Sequence, residues 1–123
     1  MQYEATGKYL RVNTRKVRLV ADLVRRLPVS KALTQLSTLS KRGAGFLRDV
    51  LNSALANAKQ KNAVLESLSI QKIEVGEGPR MKRWHAASRG MAHPYKKRMT
   101  HIRVVLTDES KNTEEQSVNK GEK

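Results

Sequence analysis

The stretch PRMKRWHAASRGMAHPYKKRMTHIR, residues 79–103, decides the fold of this chain. It contains eight lysine or arginine residues and no aspartate or glutamate. The runs on either side of it, LSIQKIEV (68–75) and HIRVVLT (101–107), alternate apolar and polar side chains as half-buried strands do. We therefore predict that the two runs pair as antiparallel strands, with a long basic excursion between them over about residues 76–102.

This excursion is too long for an ordinary turn, because most connections in a compact domain have about 4–6 residues. It is therefore either a loop without regular structure or a two-stranded arm. Gly90 can adopt the positive φ of a tight reversal, so an arm would have its tip near residues 88–90. At strand rise, about 13 residues per side would reach roughly 40 Å. An isolated ribbon is marginally stable in water, so we expect this one to be ordered mainly when a polyanion surrounds it.

Three helices are predicted between an N-terminal extended arm or short strand, residues 3–12, and the first strand of the pair. Their apolar residues recur at helical spacing. The helices span residues 14–27, 31 to about 39, and 41–62, with Asn13, Ser30 and Ser40 as N-caps. Basic residues fill the first turn of the first helix, although positive charge opposes the helix dipole there. A bound phosphate would resolve this conflict, because free N–H groups and basic side chains would share one anion.

Two further patterns refine the strands and the domain boundary. The run 68–75 changes phase, since Leu68 and Ile70 alternate in one register and Ile73 and Val75 in another, and a β-bulge would explain the slip. Residues 108–123 contain a single aliphatic residue and are predicted to be a disordered polar tail. Residues 1–107 are accordingly predicted to form one domain that includes the arm.

The charge of the chain limits its function. The net charge is +14, and residues 1–106 alone carry 22 basic and 6 acidic residues, or +16, against 3 basic and 5 acidic residues, or −2, in the remainder. Self-repulsion of this size favours a polyanionic partner, with nucleic acid the first candidate and an anionic membrane surface the second. The chain has no cysteine, no apolar run of membrane-spanning length and no signal-peptide core, so we interpret it as a soluble, non-exported protein.

The composition of the basic stretch favours nucleic acid. Flat or soft side chains, which can stack on bases, are interleaved with the charges: Met81, Trp84, His85, Met91, Tyr95 and Met99. The simpler alternative is a solvated basic loop. The three histidines of the chain, His85, His93 and His101, are spaced by eight, but no acidic residue accompanies them, so no metal site and no cofactor are predicted.

Catalysis is not supported by the sequence. The six acidic residues before residue 107 are scattered, whereas a metal-dependent nuclease needs converging carboxylates. The glycines at 76 and 78 lack the following residues of a phosphate-binding loop, and GAGF (43–46) is interpreted as a loosely packed helix start. We therefore do not expect an enzyme.

Five motifs occur in an order and spacing that identify a family. They are VNTRKVRLVADLVRRLPVSKAL (12–33), LNSALANAKQKN (51–62), IEVGEGPRMKR (73–83), SRG (88–90) and KKRMTHIRVVL (96–106). Together they closely resemble the universal L-twenty-two family of large-subunit ribosomal proteins, over about residues 5–107. The resemblance implies an α+β fold, with three helices packed on a small three-stranded antiparallel sheet and a long protruding β-hairpin.

The resemblance also implies a function. Members of the family are structural components of the cytoplasmic ribosome that bind large-subunit rRNA, aid assembly and contact neighbouring ribosomal proteins. Their hairpin lines the exit tunnel, where its tip meets the nascent peptide. An organellar ribosome is a second location compatible with the sequence, and no membrane partner is implied.

The family motifs assign candidate site residues by position. The residues expected to bind rRNA are Arg11, Arg15, Lys16, Arg18, Arg80, Lys82, Arg83, Lys96, Lys97, Arg98 and His101. The residues expected at the tunnel-facing tip are Trp84, His85, Ala87, Ser88, Arg89, Gly90 and Met91. The tip departs from the usual PRARGRA, because residues 86–92 read AASRGMA and so lack a proline and two arginines.

Two other classes of function remain open on the residues alone. A basic DNA-binding architectural protein could insert the helix 14–27 into a groove. A membrane-active basic protein would use its apolar stripes on lipid rather than in a core. A preference for duplex DNA, or binding to anionic vesicles, would distinguish these alternatives from an RNA-binding protein.

Overall fold

The computed structural model describes residues 1–108. Its helices are α1 (Thr14–Val24), α2 (Val29–Thr38) and α3 (Arg42–Gln60). Its strands are β1 (Gln2–Leu10), β2 (Ser69–Glu77), β3 (Met81–Ala86), β4 (Ala92–Lys97) and β5 (Thr100–Thr107), and single 3-10 turns lie at Leu65–Ser67 and Ser88–Gly90. The predicted polar tail lies outside the described residues, except for Asp108. No helix of the described part is long and apolar enough to span a membrane.

The main sheet has three antiparallel strands in the order β1-β5-β2. The predicted pairing of the two runs beside the basic stretch is confirmed, since β2 and β5 run together from Ser69 opposite Thr107 to Glu77 opposite Thr100. The predicted bulge is also present, as a register shift between Ile70 and Lys72. The fold is therefore α+β, as the family resemblance implied.

The core lies between this sheet and the three helices. The predicted stripe of α3 is buried without exception: Leu47, Val50, Leu51, Ala54 and Ala58. From the central strand, Ile102, Val104 and Leu106 are fully buried against it. Gly43 is buried as well, and a β-carbon there would lie 3.2 Å from a methyl group of Val17, so the start of α3 is closely packed on α1 rather than loosely packed as predicted.

Of the three predicted N-caps, one is confirmed and two are wrong. Asn13 caps α1, because its Oδ1 atom accepts a 3.0 Å hydrogen bond from the Arg15 amide. The predicted caps Ser30 and Ser40 are wrong: α2 begins at Val29 after Pro28, and α3 begins at Arg42 after Lys41, both without a side-chain cap. In α2 the fixed φ of proline already suits a helix start, which places Ser30 inside the first turn.

The basic stretch forms the predicted two-stranded arm. Strands β3 and β4 pair with each other in a separate sheet, from Met81 opposite Lys97 to Ala86 opposite Ala92. No residue of the segment 76–99 belongs to the buried core. The main sheet extends to Glu77, so the free hairpin begins at Gly78, two residues later than predicted, and the Gly78 amide donates to the Met99 carbonyl at 2.8 Å.

Candidate nucleic-acid interface

The register of the hairpin divides its side chains between two faces. Side chains alternate across a ribbon, and residues directly opposite each other share a face. One face carries Lys82, Trp84 and Ala86 with their partners Lys96, Pro94 and Ala92. The other carries Met81, Arg83 and His85 with their partners Lys97, Tyr95 and His93.

The face that holds Arg83 has most of its groups engaged within the hairpin. The rings of His85 and Tyr95 stack with centroids 4.0 Å apart and planes inclined by 20°. The Arg83 guanidinium donates to the Lys82 carbonyl at 2.7 Å and lies 3.6 Å from the Met81 sulfur. These contacts stiffen the ribbon and leave its aromatic pair less available to a ligand.

The face that holds Trp84 has its side chains free. Those of Lys82, Trp84 and Lys96 are exposed and make no hydrogen bond or ion pair with any residue of the segment 1–108. Trp84 is 66% exposed. Lys82 and Lys96 therefore face each other across the ribbon, directly beside the exposed ring of Trp84. Neither lysine has a counter-ion within residues 1–108.

The tip adopts the reversal that its glycine predicted. Gly90 has a φ of 70°, and Arg89 also has a positive φ, 61°. The Ala87 amide donates to the Met91 carbonyl at 2.8 Å, which closes the turn. Of the seven residues assigned to the tip, five lie at this turn, 87–91, whereas Trp84 and His85 lie on β3 and on opposite faces.

The base of the hairpin adjoins the start of α1. The Thr100 hydroxyl donates to the Val12 carbonyl at 2.6 Å, and the Thr14 hydroxyl lies 3.0 Å from that of Thr100. Thr14 is the first residue of α1 and Thr100 the first of β5. The segment 11–18, which holds one set of the assigned basic residues, is thus joined to the base of the hairpin, which holds the other.

The basic residues around the junction differ in their freedom. The side chains of Arg11, Arg15, Lys16, Lys97 and Arg98 are exposed and make no ion pair or hydrogen bond within the described chain. Arg18 is held instead, because its guanidinium donates to the Val75 carbonyl at 3.1 Å. Arg80 forms a 3.0 Å ion pair with Glu77.

His101 has a structural contact that the sequence did not suggest. Its Nδ1 atom accepts a 3.1 Å hydrogen bond from the Tyr9 amide, and the two rings meet edge to face at 5.0 Å. Tyr9 has a φ of 59° at an irregularity of β1. Only the Nε2 atom of His101 is therefore left for an external ligand.

One of the eight basic residues of the opening stretch, Arg103, lies on the main sheet and is paired with acids there. Arg103 forms ion pairs with Glu4 and, at 3.2 Å, with Glu74, and Glu74 in turn contacts Lys72 at 3.1 Å. Hydrogen bonds from Lys72 and then Arg103 lower the pKa of Glu74, and the two carboxylates, Glu4 first, raise the pKa of Arg103. The stretch contains no acid, but the sheet supplies two acids from its neighbouring strands.

The carboxylates of the described residues do not converge on a candidate metal site. No group of three or more histidine, cysteine or carboxylate side chains within residues 1–108 could hold a metal ion. Glu4 and Glu74 do converge, but on Arg103, which neutralises both. Asp22 and Glu77 are likewise paired with Arg25 and Arg80.

The fold is that of a small α+β domain from which a basic hairpin projects, and this defines its structural class. A family model described as "Ribosomal protein L22p/L17e" matches residues 5–107. The chain belongs to this family of ribosomal structural proteins, which is not a family of enzymes.

Curated bacterial relatives agree with this assignment. The chain is 43% identical over 110 residues to the "Large ribosomal subunit protein uL22" of Solibacter usitatus, covering 88% of this chain and 97% of that protein. Proteins with the same name from Leptospira biflexa and Syntrophus aciditrophicus are each 43% identical, covering 88% of this chain and 95% and 99% of theirs. The chain is accordingly a protein of the large subunit of the cytoplasmic ribosome.

Proposed function

We propose that this protein binds large-subunit rRNA through the hairpin and the adjoining start of α1. The observation that carries the proposal is the set of unpaired cations along a ribbon that contributes nothing to the core: Lys82, Arg89, Lys96, Lys97 and Arg98. Free cations at this density repel one another, and a run of bound phosphates would neutralise them and so favour binding. The candidate rRNA residues Arg11, Arg15 and Lys16 extend the same surface at the base.

Binding of this kind needs no turnover. The protein neutralises phosphates, and its shape holds rRNA segments together during assembly of the subunit. Arg80, Arg83 and Arg18 already have partners in the chain, so they stiffen the surface and reach RNA through their remaining N–H groups. His101 has one nitrogen left for the same purpose.

The tip of the hairpin has a different role in this proposal. Residues 87–91 carry one charge, Arg89, and an exposed Met91, so they form a small and mostly uncharged end to a basic arm. Such an end can face a water-filled passage, while the strands behind it are embedded in RNA. We propose that the tip lines the peptide exit tunnel and contacts the nascent chain, and that neighbouring ribosomal proteins contact the globular domain.

A charge-matched pair of variants tests the rRNA role. The first carries Lys82→Gln, Lys96→Gln and Lys97→Gln, and the control carries Lys31→Gln, Lys41→Gln and Lys59→Gln, which are exposed lysines of the helical side. Tagged versions are followed through sucrose gradients of lysate at rising salt. We expect the control to stay with the large subunit and the hairpin variant to be lost at lower salt.

Equal retention of the two variants would contradict binding through the hairpin. Migration of the unmodified protein with DNA, and not with ribosomes, would instead favour the architectural alternative. The tunnel role has its own test, in which a photo-crosslinking residue replaces Met91 in ribosomes that hold a stalled nascent chain. A crosslink to the peptide from position 91, and not from position 37 on α2, is the expected result.

A further inference from the structure

The proline in the hairpin determines how its strands pair. Pro94 lies in β4, opposite Trp84. Proline has no N–H, so it is accommodated where the antiparallel ladder makes no hydrogen bond. The hydrogen bonding near the tip agrees with this. Ala87 and Met91 form a hydrogen-bonded pair, because the Ala87 amide donates to the Met91 carbonyl. Bonded and non-bonded pairs alternate along the ribbon, and Trp84 with Pro94 is the third pair from 87/91. Trp84 with Pro94 is therefore a non-hydrogen-bonded pair.

The lysine pair next to it is then also non-hydrogen-bonded. Lys82 and Lys96 are opposite each other two residues further along the same face. In pairs of this kind the Cα atoms are only about 4.5 Å apart and the side chains are closer than in bonded pairs. Like charges directly opposite destabilise a ribbon, and no described acid lies on this face to offset the repulsion. An anion between the two ammonium groups would remove the conflict.

The aromatic neighbour indicates which kind of anion fits. Trp84 is about 7 Å along the ribbon from the lysine pair, at a strand rise of about 3.3 Å per residue. This is the reach from the phosphate of a nucleotide to its own base. One face of the indole can lie on Pro94, and the 66% exposure of the side chain leaves ring surface for a ligand. A cation pair with a stacking surface beside it is the recognition chemistry of an unpaired nucleotide.

We infer that Lys82, Lys96 and Trp84 form a site for one unpaired nucleotide of RNA, with its phosphate between the lysines and its base on the indole. The site rests on the proposed rRNA-binding function and adds to it a single-stranded preference. The opposite face offers no equivalent, because His85 and Tyr95 already stack on each other and Arg83 turns back onto its own strand. Trp84 thereby belongs to the RNA-binding surface and not to the tunnel-facing tip.

The chain provides its own probe, since Trp84 is its only tryptophan. The full-length protein is titrated with a single-stranded hexanucleotide RNA, with a duplex RNA and with inorganic polyphosphate, and the indole fluorescence is recorded. We expect the single strand to quench the emission, because a stacked base does so. Polyphosphate should displace the single strand without quenching. The variant Trp84→Leu should bind the single strand about 5- to 150-fold more weakly, the range of one lost stack, and bind the duplex unchanged.

Lysine variants test the phosphate half of the site. Lys96→Ala should make the negative slope of log K against log salt for single strands shallower by about 0.7, the value for one phosphate contact. The control Lys31→Ala, on α2, should leave the slope unchanged. Far-UV circular dichroism verifies that each variant is folded. We expect this because Lys31, Trp84 and Lys96 do not belong to the core.

Several results would overturn the inference. One is binding of the single strand with unchanged indole emission, and another is equal affinity of Trp84→Leu for it. If either result were found while the protein still bound ribosomes, the nucleotide site would be disproved and the proposed rRNA-binding function would be retained. Quenching by a short neutral peptide, and not by RNA, would assign the indole to the nascent chain. Failure to bind any RNA would remove the proposed function itself.

Discussion

The buried hydroxyl of Thr100 donates a 2.6 Å hydrogen bond to the carbonyl of Val12, and so joins the base of the hairpin to the segment that leads into α1. Thr14 adds its hydroxyl to the same buried cluster, 3.0 Å from that of Thr100. Both threonine side chains are almost completely buried. The junction therefore fixes the position of the basic start of α1 relative to the basic arm.

Replacing Thr100 should measure the strength of this junction. Thr100→Val keeps the shape of the side chain but leaves the Val12 carbonyl and the Thr14 hydroxyl without their partner. Unsatisfied buried groups cost about 1–3 kcal/mol each, so we expect the free energy of unfolding to fall by at least about 1 kcal/mol. Urea unfolding of the purified protein measures the change. Thr100→Ser, which keeps the hydroxyl, should lose less, and an equal loss in both variants would show that packing of the methyl group matters instead.

His101 should contribute to stability through Tyr9 as well as to RNA binding. His101→Phe keeps an aromatic ring against Tyr9 but removes the acceptor of the Tyr9 amide. We expect a loss of about 0.5–1.5 kcal/mol in the free energy of unfolding, the value of a typical hydrogen bond. Amide exchange at Tyr9, followed by NMR, should become faster. Unchanged exchange at Tyr9 would contradict a stabilising role for this bond.

The ion pairs of Glu74 with Lys72 and Arg103, on the outer face of the sheet, should make the stability of the protein depend on pH. Lys72 and Arg103 lower the pKa of Glu74 below the ordinary value of a glutamate. A lowered carboxyl pKa in the folded state means that the stabilisation is present above about pH 4.5 and is lost as the pH falls through the folded-state pKa. We therefore expect Glu74→Gln to have a lower melting temperature than the unmodified protein at pH 7, and the difference to shrink by pH 3.

A matched substitution makes this test specific. Glu66 makes no ion pair within residues 1–108, so Glu66→Gln should melt like the unmodified protein at both pH values. The comparison is made by differential scanning calorimetry at low salt, since exposed ion pairs are screened by salt. A difference between Glu74→Gln and the unmodified protein that stayed constant down to pH 3 would indicate a packing effect rather than a charge effect.

Salt dependence should separate the cations of the hairpin from those already paired. Lys97→Gln removes a free charge, and we expect the negative slope of log K against log salt for structured rRNA to become shallower by about 0.9. Arg103→Gln removes a charge that Glu4 and Glu74 neutralise, so it should leave the slope nearly unchanged and reduce stability instead. Filter binding at several potassium chloride concentrations gives both slopes. Equal slopes for the two variants would mean that the ion pairs of Arg103 do not persist beside RNA.

The sequence by itself determined the elements, their classes and the charge of this protein. Binary patterns are local, so the 3.6-residue period of α3, the alternation in β2 and β5, and the bulge near residue 71 could be predicted from neighbours in the chain. The patterns left the basic stretch as either an irregular loop or a two-stranded arm with its tip near Gly90, and the family resemblance implied the arm. Asn13 was correct as a cap because its side chain bonds an amide two residues away.

Only the tertiary structure decided which charges are free. The stretch 79–103 contains no acid, yet Glu4 and Glu74 reach Arg103 from strands far along the chain. The bond of Arg18 to Val75, that of Tyr9 to His101 and the contact of Thr14 with Thr100 likewise join distant segments. The division of the hairpin into an engaged face and a free face depends on cross-strand register. These features arise from the packing of α1 and the sheet in three dimensions, and a one-dimensional pattern does not contain those distances.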